Sequence, residues 1–457
     1  MDRDRGILNP RKVRLLLAPV LVVLGLLASD ASAGTIGNAY FHHGFHQDGS
    51  SAENAMGDML AGQLGADTIR IHAYWDLYQT GPAEYNNGYL GGIVSRVVNA
   101  RNSSGNQSLK VLVNFDLPLS EVGWMQKAGY SLLTTKSTYE NPEHPGIRRY
   151  YPSSGAGEEA YGHAMAKALK YLHDAGVSDF IETPNEPNLT HGPSDAVPAA
   201  WLGQMAGDAV SWAAVENLQM NNNSGPAILI GSVSAGQQGT EFYGFSTAAE
   251  YFGTLQWWTD YTIEQWWANV PNGPSYAVTL MGTWRPSFHA YPKNGGNEET
   301  PCQRLPSGDL QDQRGDKTGK DAYSTVQNAV IPMLNLITRS KKWWITETGM
   351  TSYKTSFAGA ETWADCVKRR ENGGNTYGKT QQAEFYGEFV YLQNWQFLHS
   401  GYPWNRFEGA IFFLPQDVNI SGRQFAGYGV HWPGAAPNCG LPYPCRKPAA
   451  YKFEQYY

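Results

Sequence analysis

Short runs of apolar and β-branched residues recur along the chain. Each run is followed by a few polar residues and then by a longer amphipathic stretch. Runs of this length, bounded by turn residues, are typical of buried β-strands. The pattern predicts eight strands, near Thr35–Tyr40, Thr68–His72, Leu109–Phe115, Asp179–Thr183, Ile228–Val233, Ser287–Ala290, Trp343–Thr346 and Gly409–Phe413.

The longer stretches between these runs are amphipathic, which predicts helices. They are Ala52–Leu64, Gly91–Ala100, Glu158–Ala175, Ala199–Leu218, Tyr323–Ile337 and Thr380–Leu398. Strands that alternate with helices are typical of a parallel α/β architecture, and eight of them match a (β/α)8 barrel. We therefore predict the α/β class and a TIM barrel.

Two segments, Thr240–Leu280 and Asn294–Lys320, are predicted to be long insertions. The first carries four tryptophans, Trp257, Trp258, Trp266 and Trp267. Because the loops at the carboxyl ends of barrel strands build active sites, we expect both insertions on the catalytic face. No repeat of solenoid period and no Pro- or Ser-rich linker interrupts the chain, so residues 34–457 are predicted to form a single catalytic domain.

The first 33 residues have the order of a secretory signal peptide. Basic residues precede an apolar run from Leu15 to Ala28, and the small residues Ala31-Ser32-Ala33 follow. The apolar run is short for a membrane span. We expect cleavage after Ala33, secretion of the remainder and no stable membrane insertion afterwards. An uncleaved N-terminal anchor is the alternative.

The composition favours a sugar over a nucleic acid as the partner. Lys and Arg number 34 against 41 Asp and Glu, for a net charge of −7, and no basic block lies beyond the first residues. Aromatic residues make up 13% of the chain. Their rings stack on the C–H faces of sugars, although tryptophan also fills large cores. Because the chain has no Gly-x-Gly-x-x-Gly turn and no phosphate loop, we expect no cofactor.

The candidate chemistry lies at two strand ends. Segment 179–188 runs from an apolar strand into a polar turn with Asn185 and Glu186, and segment 342–349 ends in the same way at Glu347. All strands of a barrel point their carboxyl ends at one face, so the two glutamates are expected to meet. A retaining glycosidase needs two carboxyl groups about 5–5.5 Å apart. The alternative is that each glutamate caps a helix or pairs with a lysine.

Several segments resemble the retaining (β/α)8 glycoside hydrolases of clan A, in the chain order of that clan. The resemblance spans most of the chain after residue 33, and the overall pattern falls among relatives of families 5 and 39. The matching segments are Leu64–Trp75 on the second strand, the turn Gln79–Tyr85, Asn185-Glu186-Pro187 after the fourth strand, Ser287–Tyr291 on the sixth and Trp344–Gly349 on the seventh.

The resemblance implies a role for each matching residue. Glu186 corresponds to the acid/base and Glu347 to the nucleophile, while Asn185 would donate a hydrogen bond to the sugar 2-hydroxyl. Arg70 and Tyr291 would keep Glu347 ionised and oriented. For Arg70, an ion pair inside the barrel is the alternative.

Three further residues are expected to bind substrate. His289 would line the same pocket, with a hydrogen-bonded core histidine as the alternative. His43 lies in the segment Tyr40–His46, which we interpret as a sugar subsite at the end of the first strand; a zinc site there would need further ligands. Asp116 ends the third strand, where several families of the clan carry a histidine. The eighth strand also lacks the tryptophan platform that many of them use, so the substrate stays open.

Four cysteines fit an oxidising compartment. Cys439 and Cys445 could close a small loop, in which case Cys302 and Cys366 would pair across two polar loops. Four cysteines allow three connectivities, and sequence does not choose between them. A metal site is the weaker interpretation, because no Cys-x-x-Cys spacing occurs.

These observations predict a secreted, retaining glycoside hydrolase that cleaves a polysaccharide internally by double displacement, without a metal ion. Its partner is a polysaccharide or oligosaccharide and not a nucleic acid, and we expect a monomer. A transglycosylase on the same site shares every residue and is an alternative. A catalytically silent carbohydrate-binding barrel is the second alternative, but it has no need of both glutamates.

Overall fold

Eight parallel strands form a closed barrel. They are β1 (His42–His46), β2 (Thr68–Tyr74), β3 (Lys110–Asp116), β4 (Phe180–Glu182), β5 (Ala227–Ser234), β6 (Arg285–His289), β7 (Trp343–Thr348) and β8 (Phe407–Phe413). Each strand pairs with its neighbours in sequence, and β8 closes the barrel against β1. The predicted (β/α)8 barrel is confirmed.

The computed structural model describes a defined part of the chain. The described residues are 42–46, 51–118, 122–134, 140–141, 144–145, 149–188, 196–221, 225–234, 247–290, 325–337, 341–349, 385–387, 389, 401 and 403–413.

The longer helices lie between the strands, as the amphipathic stretches predict. They are α1 (Ser51–Gln63), α2 (Asn87–Ser104), α3 (Gly155–Asp174), α4 (Ala199–Val215), α5 (Ala248–Trp267) and α6 (Gly273–Met281). Side-chain caps mark where several of them begin: Asn86, Ser154 and Thr247 each accept a hydrogen bond from a backbone N–H in the first turn. None of the helices in the described ranges is long and apolar enough to span a membrane.

Shorter elements complete the described ranges. Short helices span Trp75–Tyr78, Gly123–Lys127, Ile331–Leu334 and Trp404–Arg406, and a π-helical turn spans Val326–Val330. Three small antiparallel sheets pair Gln79–Gly81 with Glu84–Tyr85, Leu132–Thr134 with Tyr150–Pro152, and Glu140–Asn141 with His144–Pro145. The helix predicted over Tyr323–Ile337 is thus present as two short pieces, and most of the one predicted over Thr380–Leu398 lies outside the described residues.

Two predictions about elements are wrong. The first barrel strand is His42–His46, a segment that we interpreted as the polar loop after a strand at Thr35–Tyr40. The stretch from residue 248 to 281 is not a catalytic-face insertion but the helical layer between β5 and β6, formed by α5 and α6. Burial explains both differences, because Phe45 is fully buried in the core and Trp267 nearly so. Segment Asn294–Lys320 lies outside the described residues.

The core has two parts, which follow from the period-two alternation of the strands. A large cluster lies between barrel and helices. A smaller one fills the barrel interior and consists of Leu112, Phe180, Ala227, Leu229, Trp344 and Ile411. Side chains two positions further along β3, β4 and β7 face the same interior, and there they are polar: Asn114, Glu182 and Thr346, all fully buried. The interior therefore changes from apolar to polar along the strands.

An irregularity in β5 shapes the upper end of the barrel. The pairing register of β5 with β6 shifts between Ile230 and Val233, as in a β-bulge. Gly231 has a φ of +132°, and a Cβ there would lie 2.5 Å from the Ser287 carbonyl oxygen, so only glycine fits. Ser232, the next residue, also has a positive φ, of +48°. The bulge re-aims the Ser232 side chain toward the barrel interior, where it meets the residues described next.

Candidate active site

Arg70 lies at the centre of the polar end of the barrel. Its side chain on β2 is fully buried. Its Nε donates to Glu182 Oε2 at 2.8 Å, its Nη1 to Glu347 Oε2 at 3.2 Å and its Nη2 to Asn185 Oδ1 at 2.7 Å. One guanidinium group thereby contacts side chains from the fourth strand, the turn after it and the seventh strand. The resemblance of the second-strand segment to clan A implied this contact of Arg70 with Glu347.

Glu182 is a buried carboxylate that sequence reasoning missed. It lies on β4, fully buried, and accepts hydrogen bonds from Arg70, from Thr346 Oγ1 and, at 3.4 Å, from Asn114 Nδ2. Burial by itself raises the pKa of Glu182, but the Arg70 charge and the hydrogen bonds outweigh it, so the pKa lies below the ordinary value. Glu182 is therefore an ionised counter-charge beneath Arg70.

Glu186 projects from the turn after β4. Its backbone has a φ of +41°, which is strained for a residue with a side chain. The side chain is 19% exposed, and His289 Nδ1 lies 2.9 Å from its Oε1. Burial by itself raises the pKa of Glu186, but the hydrogen bond from His289 and the positive charges of Arg149 and Arg70 outweigh it. The pKa of Glu186 therefore lies below its ordinary value.

Glu347 faces Glu186 from β7. Its backbone carbonyl accepts from Ala290 N at 3.0 Å, which ties the end of β7 to β6. Its side chain is 10% exposed, and Oε2 lies 3.7 Å from His289 Nδ1. One carboxylate oxygen of Glu186, one of Glu347 and a ring nitrogen of His289 all lie within 4.8 Å of one another. The two glutamates of the candidate site therefore meet at a short separation, and both side chains retain some access to solvent.

The same three groups are the one set in the described part of the chain with spacing that could hold a metal ion. Two observations favour an acid–base site instead. His289 Nδ1 and Glu186 Oε1 are 2.9 Å apart, a distance at which they form a direct hydrogen bond. The buried Arg70 guanidinium already supplies a positive charge to Glu347 at 3.2 Å, which disfavours a further cation beside it.

His46 is the first-strand histidine that reaches this site. Its Nδ1 accepts from Arg70 Nη1 at 3.1 Å, and its ring stacks on Phe413 with centroids 5.4 Å apart. Burial and the neighbouring Arg70 hold the pKa of His46 well below its ordinary value, so the imidazole is neutral. For His43, the predicted subsite residue, the structure describes only the backbone, which pairs with Ala410 of β8.

Asp116 lies at the end of β3 and is buried. Its Oδ1 accepts from Leu117 N at 2.9 Å, and the side chain lies 3.6 Å from both His72 and Arg149. Arg149 in turn donates to the backbone carbonyl of Glu186 at 3.5 Å. Asp116 thus supports the turn that carries Glu186, and its predicted contact with substrate stays a prediction.

The structure brings together five of the predicted site residues: Arg70, Asn185, Glu186, His289 and Glu347. Tyr291 and the four cysteines Cys302, Cys366, Cys439 and Cys445 lie outside the described residues, so their predicted roles stay predictions. Glu182 and Ser232 join the site without having been predicted, and His46 joins it from the predicted subsite segment Tyr40–His46, in which His43 was the residue singled out. What could have indicated these residues is that each is a polar residue at an inward-facing position of an otherwise apolar, buried strand.

No protein-family model matches the chain, and no curated protein matches it by sequence. Among solved structures it is similar to a GH5_18 enzyme from Bifidobacterium longum subsp. infantis, with 12% identity and a TM-score of 0.50 over 91% of this chain and 78% of that one. It is also similar to a family 39 glycoside hydrolase from Bacteroides cellulosilyticus WH2, with 12% identity and a TM-score of 0.45 over 91% of this chain.

A third similar structure is the endo-β-1,4-glucanase of Xanthomonas axonopodis pv. citri, with 10% identity and a TM-score of 0.49 over 91% of this chain and 99% of that one. The chain spans 62% of the length of the family 39 enzyme. At these identities the likeness concerns the fold. The closed barrel and the likeness to the GH5_18 structure confirm, for the fold, the resemblance to clan A inferred from the sequence.

Proposed function

We propose that the chain is a retaining glycoside hydrolase in which Glu347 is the nucleophile and Glu186 the acid/base. One observation carries the proposal: carboxylate oxygens of the two residues lie within 4.8 Å of each other at the carboxyl end of the barrel. Retaining enzymes hold their carboxyl groups about 5–5.5 Å apart, whereas inverting enzymes leave about 6.5–9.5 Å for a water molecule. The short separation favours attack by a carboxylate over attack by water.

In the first step, a carboxylate oxygen of Glu347 attacks the anomeric carbon while protonated Glu186 gives its proton to the leaving glycosidic oxygen. The bond between anomeric carbon and leaving oxygen breaks, and an ester forms between the sugar and Glu347. Asn185, held through its Oδ1 by Arg70, has its amide N–H group available for the sugar 2-hydroxyl. In the second step, Glu186 removes a proton from water, which attacks the same carbon and releases Glu347.

The surroundings of Glu186 suit a carboxyl group that acts as an acid in the first step and as a base in the second. Before the ester forms, the Glu347 carboxylate lies close to Glu186, and the repulsion between two like charges at this range opposes the groups that lower the pKa of Glu186. Formation of the ester removes the charge of Glu347 and with it that repulsion. The hydrogen bond from His289 and the charges of Arg149 and Arg70 then favour ionised Glu186, the form that acts as a base on water.

The substrate class and the location are proposed on the sequence alone. The aromatic content of 13% supports a sugar polymer, and the predicted insertion Asn294–Lys320 supports a cleft for internal cleavage. The N-terminal segment and four cysteines support secretion. Two alternatives share the site: a transglycosylase, in which a sugar hydroxyl replaces water, and a silent binding barrel. Neither is favoured by a specific observation in the site.

The experiment is digestion of a panel of polysaccharides and aryl glycosides, followed by proton NMR of the first products. We expect the product to keep the anomeric configuration of the substrate, because two displacements at one carbon restore it. The matched control is Glu264→Gln, which removes a carboxylate on helix α5, far along the chain from both glutamates. An inverted first product, or equal turnover by Glu347→Gln and the control, would contradict the proposal.

A further inference from the structure

Ser232 occupies a place between Arg70 and His289 for which the proposed reaction gives no reason. It lies in the bulge of β5, fully buried, and its backbone N–H donates to Ser287 Oγ at 2.9 Å. Its Oγ lies 3.3 Å from Arg70 Nη2 and 2.9 Å from His289 Nε2. His289 Nδ1 then lies 2.9 Å from Glu186 Oε1. The four side chains form one continuous chain of hydrogen bonds.

The direction of this chain follows from chemistry. A guanidinium group has only donors, so Arg70 donates to the Ser232 oxygen. Arg70 Nη2 also lies 3.4 Å from His289 Nε2, and this group can only donate. Nε2 is therefore an acceptor, and the Ser232 hydroxyl donates to it. The proton of neutral His289 then resides on Nδ1, which donates to Glu186 Oε1.

We propose that Ser232 is a positioning residue that holds His289 in its Nδ1–H form and thereby orients the Glu186 carboxyl group. The inference rests on the proposed function, because it gives His289 a task in acid/base catalysis. Glu186 Oε1 is engaged as an acceptor from His289, so the proton that Glu186 transfers is carried on Oε2. The positive φ of +48° at Ser232 is the conformation that aims its hydroxyl at the imidazole.

The same connectivity of serine, histidine and glutamate occurs in serine hydrolases, where the serine is a nucleophile. Two observations argue against that role here. The Ser232 side chain is completely buried, so no substrate carbonyl reaches it. Glu186 at the other end of the chain is the partly exposed member, with 19% of its side chain accessible. The accessible end of the chain of hydrogen bonds is therefore the carboxyl group and not the hydroxyl.

The groups that face Glu186 determine what loss of the hydroxyl should do. They are His289 from β6, Glu347 from β7, Arg70 from β2 and Arg149 from the segment before α3. Without the Ser232 hydroxyl, His289 Nε2 retains only the longer contact with Arg70, and the ring is held less firmly. The hydrogen bond to Glu186 weakens, so the pKa of Glu186 rises. Activity should then fall about 10-fold to 100-fold through kcat, with KM little changed.

The test compares Ser232→Ala with Ser232→Gly by ¹⁵N NMR of the histidine side chains, with the His289 signals assigned from a His289→Asn spectrum. In the wild type we expect a protonated Nδ1 and an unprotonated Nε2. Both variants should change these signals and move the alkaline limb of the pH–kcat profile to higher pH. Only the glycine relieves the positive φ, so equal effects identify the hydroxyl as the cause. Ser211→Ala is the control, since this buried hydroxyl has no hydrogen-bond partner among the described residues.

Unchanged His289 signals in both Ser232 variants would overturn the inference, as would a change in Ser232→Ala that Ser232→Gly does not share. The NMR experiment requires no substrate. If the protein hydrolyses no glycoside, the proposed function fails while the spectra still decide whether Ser232 sets the protonation of His289. If hydrolysis occurs but the spectra are unaffected by either substitution, the inference fails alone.

Discussion

Arg70 and Glu182 are a buried ion pair whose function is to position other groups. Each is completely buried, and together they hold Asn185 on one side and Glu347 on the other. Burying two charges costs free energy that their attraction repays only with good geometry and further hydrogen bonds. Thr346 and Asn114 supply those hydrogen bonds to Glu182. The pair therefore supports orientation in the site more than it supports stability.

Glu182→Gln tests this pair at the level of one residue. The variant keeps the shape of the side chain but leaves the buried Arg70 charge with less compensation. We expect the free energy of unfolding to fall by about 3–5 kcal/mol, measured by chemical denaturation. Asp174→Asn, which breaks the exposed pair of Asp174 with Lys170, is the control and should cost about 0.3–0.5 kcal/mol. Equal losses of unfolding free energy in the two variants would show that the buried ion pair contributes no more to stability than the exposed one.

The pH dependence of catalysis follows from Glu186. Its protonated form is the one that assists the leaving group, so kcat/KM should fall as the pH rises through the pKa of Glu186. Since His289, Arg149 and Arg70 lower this pKa, the fall should lie on the acid side of neutrality. A general acid is expected to have a raised pKa, and the direction found for Glu186 is the opposite, because the hydrogen bond from His289 and the charges of the two arginines outweigh burial. The measurement is the pH profile of kcat/KM, and full activity maintained above pH 7 would contradict the assignment.

At the scale of elements, helices α4 and α5 pack closely because glycines face the contact. A Cβ at Gly203 would lie 2.6 Å from the Leu255 carbonyl oxygen and 2.6 Å from Trp258 Cβ. A Cβ at Gly207 would come within 2.7 Å of the Thr259 carbonyl oxygen. The two helix backbones therefore approach at a distance that any larger residue prevents.

Gly203→Ala should destabilise the protein by about 1–3 kcal/mol, because the new methyl group meets backbone that cannot move independently. The matched control is Gly92→Ala on helix α2, where a Cβ meets nothing within 4 Å. There the substitution should stabilise by about 0.5–1 kcal/mol, since alanine loses less conformational entropy than glycine in a helix. Thermal unfolding of both variants measures the difference. Shifts of the same sign in the two variants would contradict the close packing.

The elements that sequence predicted well are those with an unambiguous period. Seven of the strands lie close to their predicted ranges, since each is a β-branched run bounded by turn residues. Helix α5 was predicted to be part of a catalytic-face insertion, because its tryptophans were interpreted as carbohydrate-binding residues. Its helical signal was nevertheless present: Tyr251, Leu255, Thr259, Ile263 and Trp267 recur every four residues and are all buried. Trp257, by contrast, is 57% exposed on the outer side of that helix.

At the scale of the whole molecule, the barrel brings distant segments to one site. Arg70 and Glu347 are 277 positions apart in the chain, yet their side chains lie 3.2 Å apart. The resemblance to clan A implied this contact, and the barrel makes it possible because all its strands end at the same face. The sequence did not predict Glu182 or Ser232. Their positions depend on the registers and the bulge of the strands, and no local pattern in the sequence encodes these.

Covalent trapping of the nucleophile tests the central claim most directly. A 2-deoxy-2-fluoro glycosyl donor, built on the sugar released in the polysaccharide panel, should inactivate the wild-type enzyme, because the fluorine slows hydrolysis of the ester more than its formation. Peptide mapping should then find one glycosyl group on Glu347, and Glu347→Gln should take up none. A label on any other residue, or continued turnover by Glu347→Gln, would contradict the account of the two glutamates given above.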